Sequence, residues 1–337
     1  PEASMSTRLK TSPIRFALLG DLGGTHARFA IAEIGPGGVM LRDPMSIKAA
    51  GHQTAEHAAM AYMAAIGLRE RISLAMIACA GPVTEDRVAL TNLDWTLTAT
   101  GLRARLGLDQ AALINDLEAV AWAAPELADS DLHTIGPQIP GAPGGAIAVV
   151  GAGTGFNAAS WRRVDGREVV LVGEGGHASF AAADPLEMEV VRRLTPRFGR
   201  VSVERLVSGP GMLNLYRTLC EIEAVTPACA RPDQIPVLAR TGDRLARSTV
   251  ILFCGLLGAV AGDLALTLGA RGGVLIGGGM APGLLPELEA GEFRRRFEAK
   301  GRFQSHLAAI PTRVILHPHA ALVGAGRALL AQVGEGV

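Results

Sequence analysis

The sequence predicts an α/β protein built from two related halves, and two observations carry this prediction. Along the 337 residues, apolar runs typical of β-strands alternate with runs typical of helices. The stretch FALLGDLGGTHARFAIAEI at 16–34 consists of an apolar strand, a glycine-rich turn and a second strand, and AIAVVGAGTGFNAASW at 146–161 repeats this pattern. Such a repeat indicates two half-structures that face each other.

Length and composition exclude several classes of protein. The chain is long enough for two domains. With 49% hydrophobic and 19% charged residues, it is too apolar to be disordered. Its 32 basic and 32 acidic residues balance, so no nucleic acid and no membrane is expected as a partner. The four cysteines show no CxxC spacing, which favours reduced thiols in a cytoplasmic protein.

One stretch, residues 249–270, has the length and apolarity of a membrane span. It contains Asp263 and several glycines, and no second stretch of this kind accompanies it. A buried helix of a large domain is therefore the better interpretation.

The remaining elements are clearest in the first half of the chain. The predicted elements there are a helix at 54–66, a strand at 74–81, a helix at 97–108 and a strand at 111–115. This last strand runs directly into a helix that starts at Asp116 and ends before Pro125. The Pro/Gly-rich segment 136–145 is either a linker or a loop inside a domain.

The first glycine turn, Gly20–Thr25, combines Gly23 and Gly24 with the acid Asp21 and a hydroxyl. Glycine permits positive φ and a close approach of ligands to the backbone, and successive turn N–H groups can bind an anion. Asp21 would repel that anion unless a cation lies between them, so the turn suggests a Mg²⁺-phosphate site. A hairpin with a glycine-rich turn is the alternative.

The second glycine turn, Gly151–Gly155, carries Thr154 but no acid. One turn with an acid and one without suit a metal-bound phosphate on one side and bare phosphate on the other. The common nucleotide fingerprints do not fit. GxxxxGK[ST] is absent, and Phe156 stands where GxGxxG needs its third glycine.

Asn115 and Asp116 close a strand and open a helix, which is where ligands bind in α/β sheets. A helix N-terminus keeps an aspartate ionised, as a general base must be. The alternative is that Asp116 serves only as an N-cap.

Three further positions are candidates for ligand contacts. Glu174 and His177 flank a glycine pair after a strand, which suggests contacts to a polyol, although a polar turn is the alternative. Glu204 precedes a helical segment and alone is best explained as an acid that satisfies the helix dipole. The glycine run 277–279 ends a short buried strand and could receive a base or ribose, or form a tight crossover.

Together these segments resemble the bacterial glucokinase family, the group related to the enteric ATP-dependent enzyme. The stretches that carry the resemblance are GDLGGTHAR, TNLDW, INDLEAVAWA, GAGTG, GEGGH, SVERLVSGPG and GGVLIGGGM. Their order and spacing match the family from about residue 14 to the C-terminus. His26 stands where the family usually has Asn, and Phe156–Asn157 where Leu-Gly is common.

The resemblance implies a two-domain, actin-like (ribonuclease-H-like) ATPase fold with an interdomain cleft. The small domain is expected at 14–126 plus about 318–333, with a C-terminal helix around 320–333 that returns to it. The large domain is expected at 127–317, and residues 1–13 would form an N-terminal tail. Two domains that close on a sugar would also exclude water.

The resemblance also implies the ligands. Mg²⁺ would lie near Asp21, and Asp116 matches the family's catalytic base. The residues that match its sugar ligands are Asn115, Asp116, Glu174, His177 and Glu204. The residues that would hold ATP are Asp21, Gly23, Gly24, Thr25, Gly151, Gly153, Thr154, Gly155, Gly277, Gly278 and Gly279.

The expected function is ATP-dependent phosphorylation of D-glucose at its 6-hydroxyl, by a homodimer. Phosphoryl transfer needs in-line positioning, charge neutralisation and a carboxylate for the hydroxyl proton. Three alternatives stay open: a kinase for another aldohexose, a catalytically weak sugar sensor and a polymerising actin-like ATPase. Asp116 argues against the sensor, whereas Phe156–Asn157 keeps it open. The cluster Glu174, His177 and Glu204 argues against the ATPase.

Overall fold

The computed structural model describes residues 15–35, 38–90 and 93–334. The expected N-terminal tail, 1–13, and Thr91–Asn92 of the TNLDW stretch lie outside the described residues. The chain divides into two compact units. Unit 1 contains the residues up to Ala123 together with those from His319 onward, and unit 2 is Ala124–Pro318.

Strands and helices alternate along the described residues, as the sequence predicts. The strands are Arg15–Leu22 (β1), His26–Gly35 (β2), Gly38–Lys48 (β3), Ile72–Cys79 (β4), Arg87–Leu90 (β5), Trp95–Thr98 (β6), Gln110–Asn115 (β7), Leu132–Thr134 (β8), Ile147–Ala152 (β9), Phe156–Val164 (β10), Arg167–Gly173 (β11), Gly273–Gly277 (β12) and Thr312–Ile315 (β13). The helices are Ala55–Ala65 (α1), Ala99–Leu106 (α2), Asp116–Ala123 (α3), Pro185–Phe198 (α4), Gly209–Ile222 (α5), Gln234–Arg240 (α6), Arg244–Leu268 (α7), Leu285–Glu289 (α8), Glu292–Glu298 (α9), Gln304–Ala308 (α10) and Ala320–Gly334 (α11).

The two units contain sheets of the same design. In unit 1 the strand order is β3-β2-β1-β4-β7, and in unit 2 it is β11-β10-β9-β12-β13-β8. Each sheet starts with an antiparallel meander of three strands and continues with two strands parallel to the first strand of that meander. The predicted α/β class and the predicted structural repeat are therefore confirmed.

Helices cover the sheet of unit 1 on both faces. Successive side chains of a strand point to opposite sides, so neighbouring residues of β1 pack on different helices. In β1, Leu18 belongs to a buried cluster with residues of α1 and α2. Its neighbours Ala17 and Leu19 belong to a second buried cluster with residues of α3 and α11. The C-terminal helix thus completes unit 1.

Most predicted elements differ from those observed by one or two residues at their ends. The helix expected at 54–66 is Ala55–Ala65, and the strand expected at 74–81 is Ile72–Cys79. The helix expected at 97–108 starts only at Ala99, since Leu97 lies in β6, which pairs with β5. Thr98 ends that strand and caps the helix by accepting the Gly101 N–H at 2.9 Å. The apolar stretch 249–270 belongs to the longer helix α7.

Helix α7 is the one described helix that is long and apolar enough to cross a membrane. However, 67% of its most apolar stretch is buried, and its side chains form much of the core of unit 2. The prediction of a buried helix of the large domain is confirmed by this packing.

Candidate active site

The start of α3 places Asp116 at the end of a parallel strand. Asn115 is the last residue of β7, and its side-chain oxygen accepts the N–H groups of Leu117 and Glu118 at 2.9 and 3.3 Å. Asn115 is therefore the N-cap of the helix. Asp116 is the first helical residue, and its own carboxylate also accepts the Leu117 N–H at 2.8 Å. Asp116 therefore shares in capping the helix, and its role beyond capping stays a prediction.

Asp21 lies in β1 rather than in the glycine turn, since the strand extends to Leu22 and only Gly23–Thr25 form the turn. None of Gly20, Gly23 and Gly24 has a positive φ, so the turn does not use that freedom of glycine. At Gly20 the requirement is space, because a Cβ there would lie 2.8 Å from Cδ1 of Ile77.

A cation does accompany Asp21, but it is an arginine. Arg28 is the cross-strand partner of Asp21 in the β1–β2 hairpin, and its Nη1 donates to the Asp21 carboxylate at 2.9 Å. Burial raises the pKa of Asp21, and the Arg28 charge and hydrogen bond counteract that rise. Sequence reasoning missed Arg28, although an acid and a base at matching positions of a hairpin are a visible signal.

Asp21 and Asp116 lie at the same edge of the unit 1 sheet. Asp21 pairs with Ala78 of β4, and the next β4 residue, Cys79, pairs with Asn115. With one strand between them, the two positions are about 10 Å apart. Burial, together with the charges of Asp116 and Asp21, raises the pKa of Cys79 to about 12, which places this thiol near both carboxylates.

In unit 2 the second glycine turn joins β9 to β10. The Gly153 N–H donates to the Gly155 carbonyl at 2.9 Å, and the Gly209 N–H at the start of α5 donates to the Gly153 carbonyl at 2.8 Å. Gly278 has φ +92°, and a Cβ there would overlap the carbonyl group of Ala152. The glycine run 277–279 therefore lies directly beside the turn.

A cavity of about 670 Å³ opens beside this turn and is mainly apolar. Its lining residues are Gly153, Thr154, Gly209, Pro210, Met212, Pro232, Asp233, Pro236, Val237, Arg240, Gly279, Met280, Gly283 and Leu284. The size and the mixture of apolar walls with a few polar groups are typical of a site for a small molecule such as a nucleotide.

Glu204 binds the second turn. It lies in the helical turn Val203–Arg205, and its carboxylate accepts the Phe156 N–H at 3.0 Å. A Cβ at Gly155 would lie 2.7 Å from the same carboxylate. Glu204 is thus an acid in the first turn of a short helix, as the helix-dipole explanation has it, and its carboxylate in addition binds the β9–β10 turn.

Glu174 and His177 flank the helical turn Gly175–His177, and both side chains are exposed. A Cβ at Gly176 would overlap the carbonyl group of Phe156, which accounts for glycine there. The segment after His177 is joined to the Glu204 segment by the bonds Phe180 N–H to Val201 O and Val203 N–H to Ala178 O, each 3.0 Å. The structure therefore brings the segments of Glu174, His177 and Glu204 together.

The metal-binding capacity of the site is modest. The residues that the structure describes contain no group of three or more His, Cys, Asp or Glu side chains arranged around one ion. Mg²⁺ is usually held by one or two carboxylates together with substrate phosphates and water. A single buried carboxylate such as Asp21 fits that mode of binding.

Comparison with known proteins agrees with this geometry. The family model described as Glucokinase matches residues 18–332. A glucokinase of Caulobacter sp. is 48% identical over 317 residues, which are 94% of this chain and 95% of that protein. The structure of a glucokinase from an Antarctic psychrotroph is 32% identical with a TM-score of 0.83, covering 94% of this chain and 99% of the other.

A more distant structure agrees at the level of fold. A glucokinase of the ROK family from Streptomyces griseus, in complex with glucose and AMPPNP, has a TM-score of 0.61 at 19% identity, covering 96% of this chain and 100% of the other. The two α/β units and their glycine turns thus define a two-domain, actin-like sugar kinase. The chain belongs to the glucokinase family, and it is an enzyme that phosphorylates glucose with ATP.

Proposed function

We propose that Asp116 is the general base of this kinase and accepts the proton of the glucose 6-hydroxyl as that oxygen attacks the γ-phosphorus of ATP. The observation that carries the proposal is the start of α3, where Asn115 takes the capping role and Asp116 occupies the first helical position. The positive end of the helix dipole favours the ionised form that a base needs.

On the donor side, the two glycine turns bind the ATP phosphates, and the cavity beside Gly153 and Gly279 receives the base and ribose. Asp21 would hold a hydrated Mg²⁺, and the ion would supply positive charge against the charge that develops on the phosphates. Arg28 fixes the Asp21 carboxylate through the 2.9 Å ion pair. These roles are supported by the proximity of the second turn to the cavity and by the burial of Asp21.

On the sugar side, Glu174, His177 and Glu204 bind hydroxyls from unit 2. Asn115 has a smaller role in sugar binding than the resemblance implies, because most of its side chain is used for bonds within the protein. Its side-chain oxygen is used by α3, and one amide hydrogen reaches the Gly81 carbonyl at 3.1 Å. The second amide hydrogen is the group that it offers to the sugar.

The test is Asp116→Asn, which keeps the shape of the side chain and removes the proton acceptor. We expect kcat to fall about 10²- to 10⁴-fold, while glucose binding measured by calorimetry changes far less. A kcat within a few-fold of wild type would refute the role of Asp116 and move support to the weak sugar sensor.

A further inference from the structure

Asp116 is bracketed by two residues whose main-chain N–H groups are both bound within the first turn of α3. The Leu117 N–H is shared between the Asn115 side chain at 2.9 Å and the Asp116 carboxylate itself at 2.8 Å. The Glu118 N–H donates to the Asn115 side chain at 3.3 Å, and the Asn115 N–H donates to the Glu118 carboxylate at 3.4 Å. Asn115 and Glu118 thus form a reciprocal capping box. The orientation of the Asp116 side chain depends on this turn, because its backbone is fixed from both sides.

The rest of α3 is held by a different contact. A Cβ at Gly324 of α11 would overlap the carbonyl group of Ala119, and Ala119 is fully buried. The two helix backbones therefore pack as closely as glycine allows, and α3 cannot move toward α11. The first turn of α3 lies outside this contact between Gly324 and Ala119. The conformation of the first turn therefore depends on the capping box.

A glutamate at position 118 costs free energy, because its charged carboxylate is partly removed from water. It is half-buried, and burial raises its pKa, although hydrogen bonds from the Asn115 N–H and the Trp122 side chain counteract the rise. Many surface helices are capped by a hydroxyl alone, as Thr98 caps α2. A second, partly desolvated acceptor is expected where the geometry of the turn itself matters.

We propose that Glu118 is a positioning residue, whose carboxylate fixes the Asn115–Leu117 turn and so holds the Asp116 carboxylate in the orientation used for proton transfer. This inference rests on the proposed role of Asp116 as the general base. The Glu118 carboxylate accepts the Asn115 N–H and so acts through the backbone that precedes Asp116.

Three variants test it. Glu118→Gln keeps an acceptor of the same length and should leave kcat within about threefold of wild type. Glu118→Ala removes the acceptor and Glu118→Asp shortens it, so both should lower kcat at least about tenfold by misplacing the base. The KM for ATP should change less than about threefold in all of them, and the glucose Kd from calorimetry should change far less than kcat does. Glu118→Asp serves as the test if Glu118→Ala does not fold.

The matched control is Thr98→Ala, which removes the cap of α2 in the same unit and the bond to the Gly101 N–H. It should lower Tm as Glu118→Ala does and leave kcat unchanged. Equal losses of kcat in Thr98→Ala and Glu118→Ala would overturn the positioning role, as would a Glu118→Gln variant as slow as Glu118→Ala.

A double-mutant cycle separates the two proposals. In the Asp116→Asn background, Glu118→Ala should have no further effect on kcat, because there is no base left to position. If Asp116→Asn lowers kcat but Glu118→Ala multiplies that loss by the same factor as in wild type, the inference about Glu118 is wrong and the base stands. If Asp116→Asn leaves kcat unchanged, the proposed function fails and the inference fails with it.

Discussion

Removal of the Arg28 side chain should lower the free energy of unfolding of unit 1, because it breaks the ion pair with Asp21. The two charged atoms are 2.9 Å apart, and the side chains are 41% and 15% exposed. At this separation two unit charges attract by about 1.4 kcal/mol in water and by about 6 kcal/mol at an effective dielectric constant of 20. Because Arg28 is partly solvated, we expect a coupling energy of about 1.5–3 kcal/mol.

The measurement is a double-mutant cycle of Arg28→Ala and Asp21→Asn in urea unfolding. Of the three tryptophans, Trp95 and Trp122 lie in unit 1 and Trp161 lies in unit 2. A Trp161→Phe background therefore makes fluorescence report on unit 1. Arg28→Lys serves as the control for charge, since lysine restores attraction without the planar guanidinium.

The same pair predicts a pH dependence of a definite sign. Burial raises the pKa of Asp21, so ionisation of this group lowers the stability of the folded state as the pH rises through that pKa. Without Arg28 the pKa rises further. The cost of Arg28→Ala should therefore be largest at neutral pH and shrink under acid conditions, where Asp21 is protonated. A coupling near zero, or a cost that grows on acidification, would refute this reasoning.

Two further outcomes concern the ligands. Asp21→Ala should lower turnover strongly and leave glucose affinity nearly intact, and wild-type activity with an unchanged Mg²⁺ dependence would contradict the metal role. Alanine at Glu174, His177 or Glu204 should raise the glucose KM by roughly 5- to 150-fold, the equivalent of ~1–3 kcal/mol for a buried polar group left unpaired. If alanine at Glu174 or His177 raises the KM for ATP instead, the sugar site has been assigned to the wrong residues. Glu204 does not decide this point, because its carboxylate also binds the Phe156 N–H of the second turn.

Much of the fold could be predicted from sequence because its signals are local. The repeated strand-turn-strand pattern predicted two sheets of one design, and the strand at 111–115 led directly into α3, as observed. The helix predicted at 97–108 was wrong at both ends. Its first two residues belong to β6, whose pairing with β5 depends on a partner strand that helical periodicity does not reveal, and the helix ends at Leu106 before the left-handed Gly107.

The site was less predictable, because its contacts depend on register and on distant segments. Asp21 meets Arg28 only through the alignment of β1 with β2. Glu204 reaches the Phe156 N–H across 48 residues of sequence, which no local pattern encodes. The capping role of Asn115 could have been predicted from the sequence, since the spacing of Asn115 and Glu118 is that of a capping box.

The return of α11 to unit 1 has a consequence for synthesis on the ribosome. The strands of unit 1 and α3 emerge first, yet α11, which also packs on Ala17, Leu19 and Met76, follows the whole of unit 2 in the sequence. Unit 2 lies wholly between these parts and can fold while translation continues. The nascent chain therefore carries an apolar sheet face that only α3 covers until α11 has left the exit tunnel, and in that interval chaperones have most to protect.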